Sequence, residues 1–248
     1  MKIALPDGWR LIAKNETVST NEDVKALPSG SDKVAVCAEI QTGGRGRMGR
    51  RWISPKGNLY VSICLDLGGL RQAEIYSFLS AAALACAIEK VCSGIEVKCK
   101  WPNDLLVDGR KVSGILLETD GVGRLIVGIG VNIIDCPEEQ MLYPVTSLAK
   151  CGFRVTREMV LEELLRQFDF WQKRLNDEDG KSAVLNAWKR KAYGIGKKIV
   201  VNLPDKREEG TFDGLDNDGY LLLNKGGEII KVTVGDVFFG SAGRNENG

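Results

Sequence analysis

Residues 41–52 read QTGGRGRMGRRW, with four arginines (Arg45, Arg47, Arg50, Arg51) and four glycines (Gly43, Gly44, Gly46, Gly49) packed into nine positions. No acid lies between Glu39 and Asp66, so this positive charge has no partner nearby in sequence. Arginine presents a planar fork of donors that fits a carboxylate or a phosphate. Glycine lets the backbone turn tightly or approach a ligand closely. Together they describe a flexible loop suited to closing over an anion. A solvated surface loop, or an arginine-glycine segment touching nucleic acid, shares this composition. The loop is wedged between two strand-like runs, 33–39 and 58–67, whereas RGG-type tails lie in low-complexity surroundings. A loop between core strands is held by a scaffold, as sites are.

Other residues able to do chemistry lie elsewhere in the chain. Trp101-Pro102-Asn103-Asp104 follows a strand-like run and offers an amide and a carboxylate, either as a turn or facing the basic loop. Asp108-Gly109 is a two-residue hairpin signal. The hairpin returns Lys111 to the neighbourhood of Asp104. Ser19 and Glu22 have capping-box spacing, so a helix starts there and runs to about Leu27. Ser19, Thr20 and Asn21 then serve as a cap alone or as polar groups around a ligand. Gly128 and Gly130 interrupt the apolar run 124–134, which points to close approach of a ligand or another backbone. This G-x-G-x-N has no helix behind it, so it is not a dinucleotide fingerprint, and no P-loop is present.

Composition removes several classes. The chain has no histidine, which excludes His-dependent triads and His bases. An enzyme of this sequence works with Lys, Arg, Asp or Glu, or with a nucleophile carried by its substrate. Seven scattered cysteines without a CxxC pair fit reduced thiols of a cytoplasmic protein rather than zinc, and no metal site is expected. The first eleven residues lack the apolar region of a signal peptide, and no apolar run is long enough to span a membrane. A net charge of +1 gives no global attraction to nucleic acid. Asp216-Asn217-Asp218-Gly219 is not an EF-hand, since that register would place Gly214 and Lys225 at ligand positions.

The elements that must position these residues begin with strands over 9–18, 33–40, 58–67 and 95–101, the hairpin 105–118, and a further strand at 124–134. Gly68-Gly69 ends the third of these, and Gly121 and Gly123 mark the turn into the last. A long buried helix is expected over 72–92 and two more over 158–175 and 181–193, the first of that pair with an apolar stripe from Leu161 to Leu175. After Gly196 the periodicity switches to two, and about five short strands make a small β-barrel.

Three separated segments resemble the biotin protein ligases: Ser19-Thr20-Asn21, GGRGRMGRRW at 43–52, and KWPNDLLVDGRKVSGILLE at 100–118. The resemblance covers nearly the whole chain. It implies an α+β fold: a class II aminoacyl-tRNA synthetase-like mixed sheet with helices over 1–193, an SH3-like C-terminal domain over 194–242, and a tail at 243–248. It implies biotin contacts at Ser19, Thr20, Asn21, Gln41, Gly44, Arg45, Gly46, Arg47, Trp52, Lys111 and Gly114. ATP contacts are implied at Arg47, Arg50, Asn103, Lys111 and Asn132, and catalytic roles for Arg45, Arg47, Lys111 and Asp104. The implied activity joins biotin to a lysine of a biotin carboxyl carrier protein through biotinyl-5′-AMP, using ATP with Mg2+. The carboxylate of biotin is itself the nucleophile, which agrees with the missing histidine. With the Ser-Thr-Asn segment at residue 19 there is no room before it for the winged helix of repressor relatives, so no sequence-specific DNA binding is expected. A homodimer is expected through an exposed sheet edge. A lipoate or octanoyl ligase is the nearest alternative, and a nucleic-acid-binding module a more distant one.

Overall fold

Alternation along the strands builds the architecture. In a strand, successive side chains face opposite sides, so one parity can feed a core while the other lines a site. The computed structural model describes residues 1–67, 73–120, 123–137, 143–203 and 205–239. Gly68, Gly69, Gln72, Gly121 and the tail 243–248 lie outside the described residues. Strands β1 (Arg10–Thr17), β2 (Val34–Gln41), β3 (Leu59–Leu65), β4 (Lys98–Lys100), β5 (Asp104–Val107), β6 (Arg110–Thr119) and β7 (Leu125–Val131) form one mixed sheet, ordered β1-β2-β3-β7-β6-β5-β4. β1 runs parallel to β2, and the other pairs are antiparallel.

The main core lies on one face. Ala35 and Cys37 of β2, Val61 and Ile63 of β3, and Val127 and Ile129 of β7 pack there with helix α2 (Ile75–Val91). That helix is buried nearly all round, because α3 (Arg157–Leu175) and α4 (Gly180–Arg190) cover its outer side. A run of alanines lets these helices approach closely. The opposite parity, Val34, Val36, Cys64 and Ile126, packs on Val24 of the short helix α1 (Thr20–Lys25). α1 therefore sits on the other face of the sheet, and it carries Thr20 and Asn21 there.

Two local expectations change. α1 begins where Ser19 predicts, with Ser19 extended at the N-cap, but the Ser19 side chain makes no capping hydrogen bond. Glu22, the other half of the expected box, is drawn instead to Arg45 and Lys25. β4 is shorter than the expected 95–101, and its outer edge is bonded by residues after α4: Cys99 N donates to Lys191 O at 2.7 Å, and Tyr193 N to Cys99 O at 2.8 Å.

The C-terminal strands β8 (Lys198–Asn202), β9 (Arg207–Leu215), β10 (Leu221–Lys225), β11 (Glu228–Val232) and β12 (Asp236–Phe239) form an antiparallel sheet in the order β11-β10-β9-β8-β12. Trp101 Nε1 donates to Gly219 O at 3.1 Å, which ties this sheet to the end of β4. Among the described residues no helix is long and apolar enough to cross a membrane.

Candidate active site

A cavity opens on the α1 face of the large sheet. Its floor follows from strand parity. The odd residues of β7 are core, so Gly128 and Gly130 face the cavity, and side chains close over both. A Cβ on Gly128 would lie 2.4 Å from Asn21 Oδ1, and one on Gly130 2.5 Å from the Trp52 ring. The interruption of an apolar strand by two glycines is thus explained by close approach of these side chains.

One wall is a polar network. Thr20 donates through its backbone N and Oγ1 to Gln41 Oε1, at 2.9 and 3.1 Å. Gln41 Nε2 donates to Ser54 Oγ at 3.0 Å. Ser62 Oγ lies 2.7 Å from Thr20 Oγ1 and 2.5 Å from Asn21 Oδ1. Asn21 Nδ2 donates to Glu118 Oε2 at 2.7 Å. A rigid set of donors and acceptors on a half-apolar surface suits a small ligand with a polar ring or head group.

The arginine loop is an ordered hairpin. Gly46 N donates to Arg50 O at 2.7 Å and Trp52 N to Gly44 O at 2.9 Å. Its tip turns through left-handed Met48 (φ 55°) and Gly49 (φ 71°). Acids distant in sequence supply the partners that the local sequence lacks. Arg45 pairs with Glu22 and stands 3.8 Å from Glu118. The hydrogen bond from Arg45, then Lys25, holds the Glu22 carboxyl below its ordinary value. Arg50 Nη2 reaches both oxygens of Asp236 at 2.9 and 3.0 Å, and Arg47 Nη1 is 3.8 Å from the same carboxylate. Arg47 Nη1 also donates to Asn103 Oδ1 at 3.4 Å.

The deepest polar cluster centres on Asp104. Lys111 Nζ is 2.6 Å from Asp104 Oδ1, and the Tyr143 hydroxyl donates to Oδ2. The sequence places Lys111 near Asp104, and a β-bulge makes the geometry work. Leu105 pairs with Ser113 but Leu106 with Lys111, so β6 has one residue more than β5 here. Without it, Lys111 and Gly114, three apart, would face opposite sides. With it, both reach the cavity. Lys100, opposite Asp104 on β4, stacks its ammonium 3.5 Å above the Tyr143 ring. Burial pushes the Lys100 ammonium down to about 8, partly offset by Asp104. Burial pushes Asp104 up, but Lys111 and Lys100 together outweigh it and leave the carboxyl below its ordinary value. Burial and the Asp104 carboxylate push the Tyr143 phenol up.

The cavity brings together Ser19, Thr20, Asn21, Gln41, Arg45, Gly46, Arg47, Arg50, Trp52, Asn103, Asp104, Lys111 and Gly114. Two expected residues do not line it. Gly44 is packed into the loop base, where a Cβ would lie 2.5 Å from Trp52 O. Asn132 is buried at the end of β7, bonded to Val112 O and Thr146 O. Sequence reasoning missed Tyr143 and Asp236, and gave no individual role to Arg51 and Lys100 although both lie in the segments it singled out. Tyr143 has no local motif, and Asp236 comes from the C-terminal sheet. No cluster of three metal-binding side chains occurs among the described residues. Asp104 and Asp236 are the carboxylates lining the cavity, which fits a Mg2+ that arrives on a nucleotide's phosphates and keeps most of its waters.

Comparison with known proteins places this geometry. The profile described as "Biotin/lipoate A/B protein ligase family" matches residues 12–133, and "Biotin protein ligase C terminal domain" matches 194–240. A biotin–[acetyl-CoA-carboxylase] ligase of Paracoccus denitrificans is 36% identical over 236 residues, covering 90% of this chain and 98% of that protein. The chain belongs to the biotin protein ligase family. A further member, the biotin–[acetyl-CoA-carboxylase] ligase of Mycobacterium tuberculosis, is 31% identical over 95% of this chain and 91% of its own. A solved structure of biotin protein ligase from Aquifex aeolicus in complex with biotin and ATP superimposes with a TM-score of 0.82 at 29% identity, covering 92% of this chain and 97% of that one.

Proposed function

We propose that this protein is an ATP-dependent ligase that joins biotin to one lysine of a biotin carboxyl carrier protein through biotinyl-5′-AMP, with release of pyrophosphate. The observation that supports this most is that four of the five cations lining the cavity among the described residues, Lys111, Arg45, Arg47 and Arg50, rest on or beside a carboxylate of the protein. A carboxylate substrate and a polyphosphate would take over these partners.

In this reading the polar wall of Thr20, Asn21 and Gln41 orients the biotin ring, with the Trp52 ring above it. Lys111, Arg45 and Arg47 hold the biotin carboxylate against the α-phosphate, and Arg50 and Asn103 face the nucleotide. A carboxylate oxygen forms the bond to the α-phosphorus as the bond to the β-phosphate oxygen breaks, and pyrophosphate leaves with the electron pair. No protein nucleophile is required. One well-placed donor at such a centre stabilises the transition state by roughly 3–4 kcal/mol, and fixed orientation adds to it. The hairpin then shields the acyl-adenylate from water. In the second step a carrier lysine amine attacks the acyl carbon, and Asp104 orients that amine. Gly44 serves the loop's shape, and Asn132 supports the segment near the adenine rather than touching it.

The catalytic unit spans 1–193, and the C-terminal unit 194–242 contributes Asp236. Free thiols at all seven cysteines agree with a cytoplasmic setting. The edge strand β1 is where a second copy would add to make a homodimer. The test is a mass measurement. Incubation with biotin, Mg·ATP and a carrier domain should add one biotinyl group at one lysine. No mass gain with biotin, or gain with lipoate instead, would overturn the reading.

A further inference from the structure

Asp104 faces one protein group at each oxygen, an ion pair at Oδ1 and a hydrogen bond at Oδ2. Lys111 occupies Oδ1 at 2.6 Å and the Tyr143 hydroxyl occupies Oδ2. The carboxylate is 5% exposed, and β4 and β6 fix its backbone from both sides, opposite Lys100 and Gly114. An incoming amine would therefore meet a protein group at each oxygen, held by hydrogen bond only at Oδ2. The two partners differ in freedom. Lys111 has a long side chain whose ammonium faces the cavity beside Gly114 and lies 5.2 Å from the Trp52 ring centre. The Tyr143 ring is pinned under the Lys100 ammonium and packed edge-on to Phe238 at 6.4 Å. Its chain is stitched to β6, with Lys111 N donating to Pro144 O at 2.9 Å and Thr146 N to Lys111 O at 2.8 Å.

We propose that Tyr143 is a positioning residue for the transfer step: it keeps Asp104 ionised and aimed while Lys111 leaves Oδ1 for the ligand's anion, so that Asp104 opens to the acceptor amine only once the adenylate is in place. This rests on the ligase reading above and adds an order to it. In adenylate formation Lys111 turns to the new anion and Asp104 Oδ1 is uncovered. The carrier amine then donates an N–H to Oδ1 as its nitrogen forms the C–N bond. The C–O bond to phosphate breaks, AMP leaves with that electron pair, and the amine proton passes to Oδ1. Tyr143, on Oδ2, holds the carboxylate in one orientation throughout.

The test is Tyr143→Phe, which keeps the ring and the stacking on Lys100. Two rates are measured on the full chain: biotin-dependent ATP–pyrophosphate exchange, and transfer from preformed biotinyl-adenylate to a carrier domain across pH. Transfer is expected to slow about tenfold more than exchange. Its acid limb is expected to move to higher pH, because the hydroxyl is one of the donors that lower the Asp104 carboxyl. The other groups facing Asp104 are Lys100 and Lys111, with Arg50 and Asp236 beyond them, and all are retained. Equal slowing of both rates, or an unmoved acid limb, would overturn the role of Tyr143 with the ligase reading intact. A wild-type protein with no biotin-dependent exchange would overturn that reading as well.

Discussion

Gly128→Ala isolates the fit between the cavity floor and its polar wall. The added Cβ would stand 2.4 Å from Asn21 Oδ1 and 3.0 Å from Nδ2. Ordinary contact begins at 3.4 Å, so Asn21 must retreat by about 1 Å. It has little room to do so, because Ser62 at 2.5 Å and Glu118 at 2.7 Å hold its amide and α1 holds its backbone. Gly128 has no left-handed φ, so alanine is compatible with the strand itself. Overpacking of this kind costs about 2 kcal/mol, which for a chain of this size lowers Tm by roughly 4–8 °C. Displacing a ligand-orienting group by about 1 Å costs on the order of a hundredfold in turnover. The assay is biotin-dependent ATP–pyrophosphate exchange run well below both melting points. Gly123→Ala is the control: it has nothing within 4 Å but a φ of +89°, so it should lower stability and leave exchange alone. Normal kcat/KM for biotin in Gly128→Ala would refute the placement of Asn21 against the ligand.

Arg124 is buried and donates to Lys25 O, Leu27 O and Pro28 O at 2.9–3.1 Å while pairing with Asp120, so it locks the end of α1. Arg124→Ala should lose about 3 kcal/mol in urea unfolding; a loss below about 1 kcal/mol would contradict this. Lys100 is held near 8 when folded against 10.5 as a free side chain. Below pH 8 both states carry the proton and its burial penalty is present in full; from pH 8 to 10.5 the folded state sheds the proton first and the penalty fades. The stability of wild type relative to Lys100→Met should therefore rise by about 3 kcal/mol over that window, and a flat difference would argue otherwise. Asp236→Ala frees Arg50 from its ion pair and removes the carboxylate beside Arg47, so limited trypsin digestion should cut within 45–51 faster, with protection restored by biotin and ATP; an unchanged cutting rate would deny that Asp236 holds the loop. Arg47→Ala should keep the fold and release biotinyl-adenylate about tenfold faster, read by trapping the free adenylate.

The sequence revealed the parts of this site that are local. QTGGRGRMGRRW announced a cationic loop, which lines the cavity; Asp108-Gly109 set the hairpin that returns Lys111 to Asp104; and Gly128 and Gly130 marked a place of close approach, where side chains rather than a backbone close in. It was silent where pairing is long-range. Glu22 read as half of a capping box because its true partner, Arg45, is 23 residues on. Asp236 lies 186 residues from Arg50, in a strand with nothing unusual about it. Tyr143 and Lys100 meet only because β4 and the segment after β7 flank the same hairpin. The bulge opposite Leu105 could not be read either, although it decides whether Lys111 and Gly114 share a face.

The most direct test is ATP–pyrophosphate exchange with one acid at a time: biotin, lipoate and octanoate. Exchange driven by biotin alone, lost in Lys111→Ala, is the expected result. Exchange that ignores biotin, or that survives without Lys111, would contradict a cavity in which protein cations trade their carboxylates for those of the substrate.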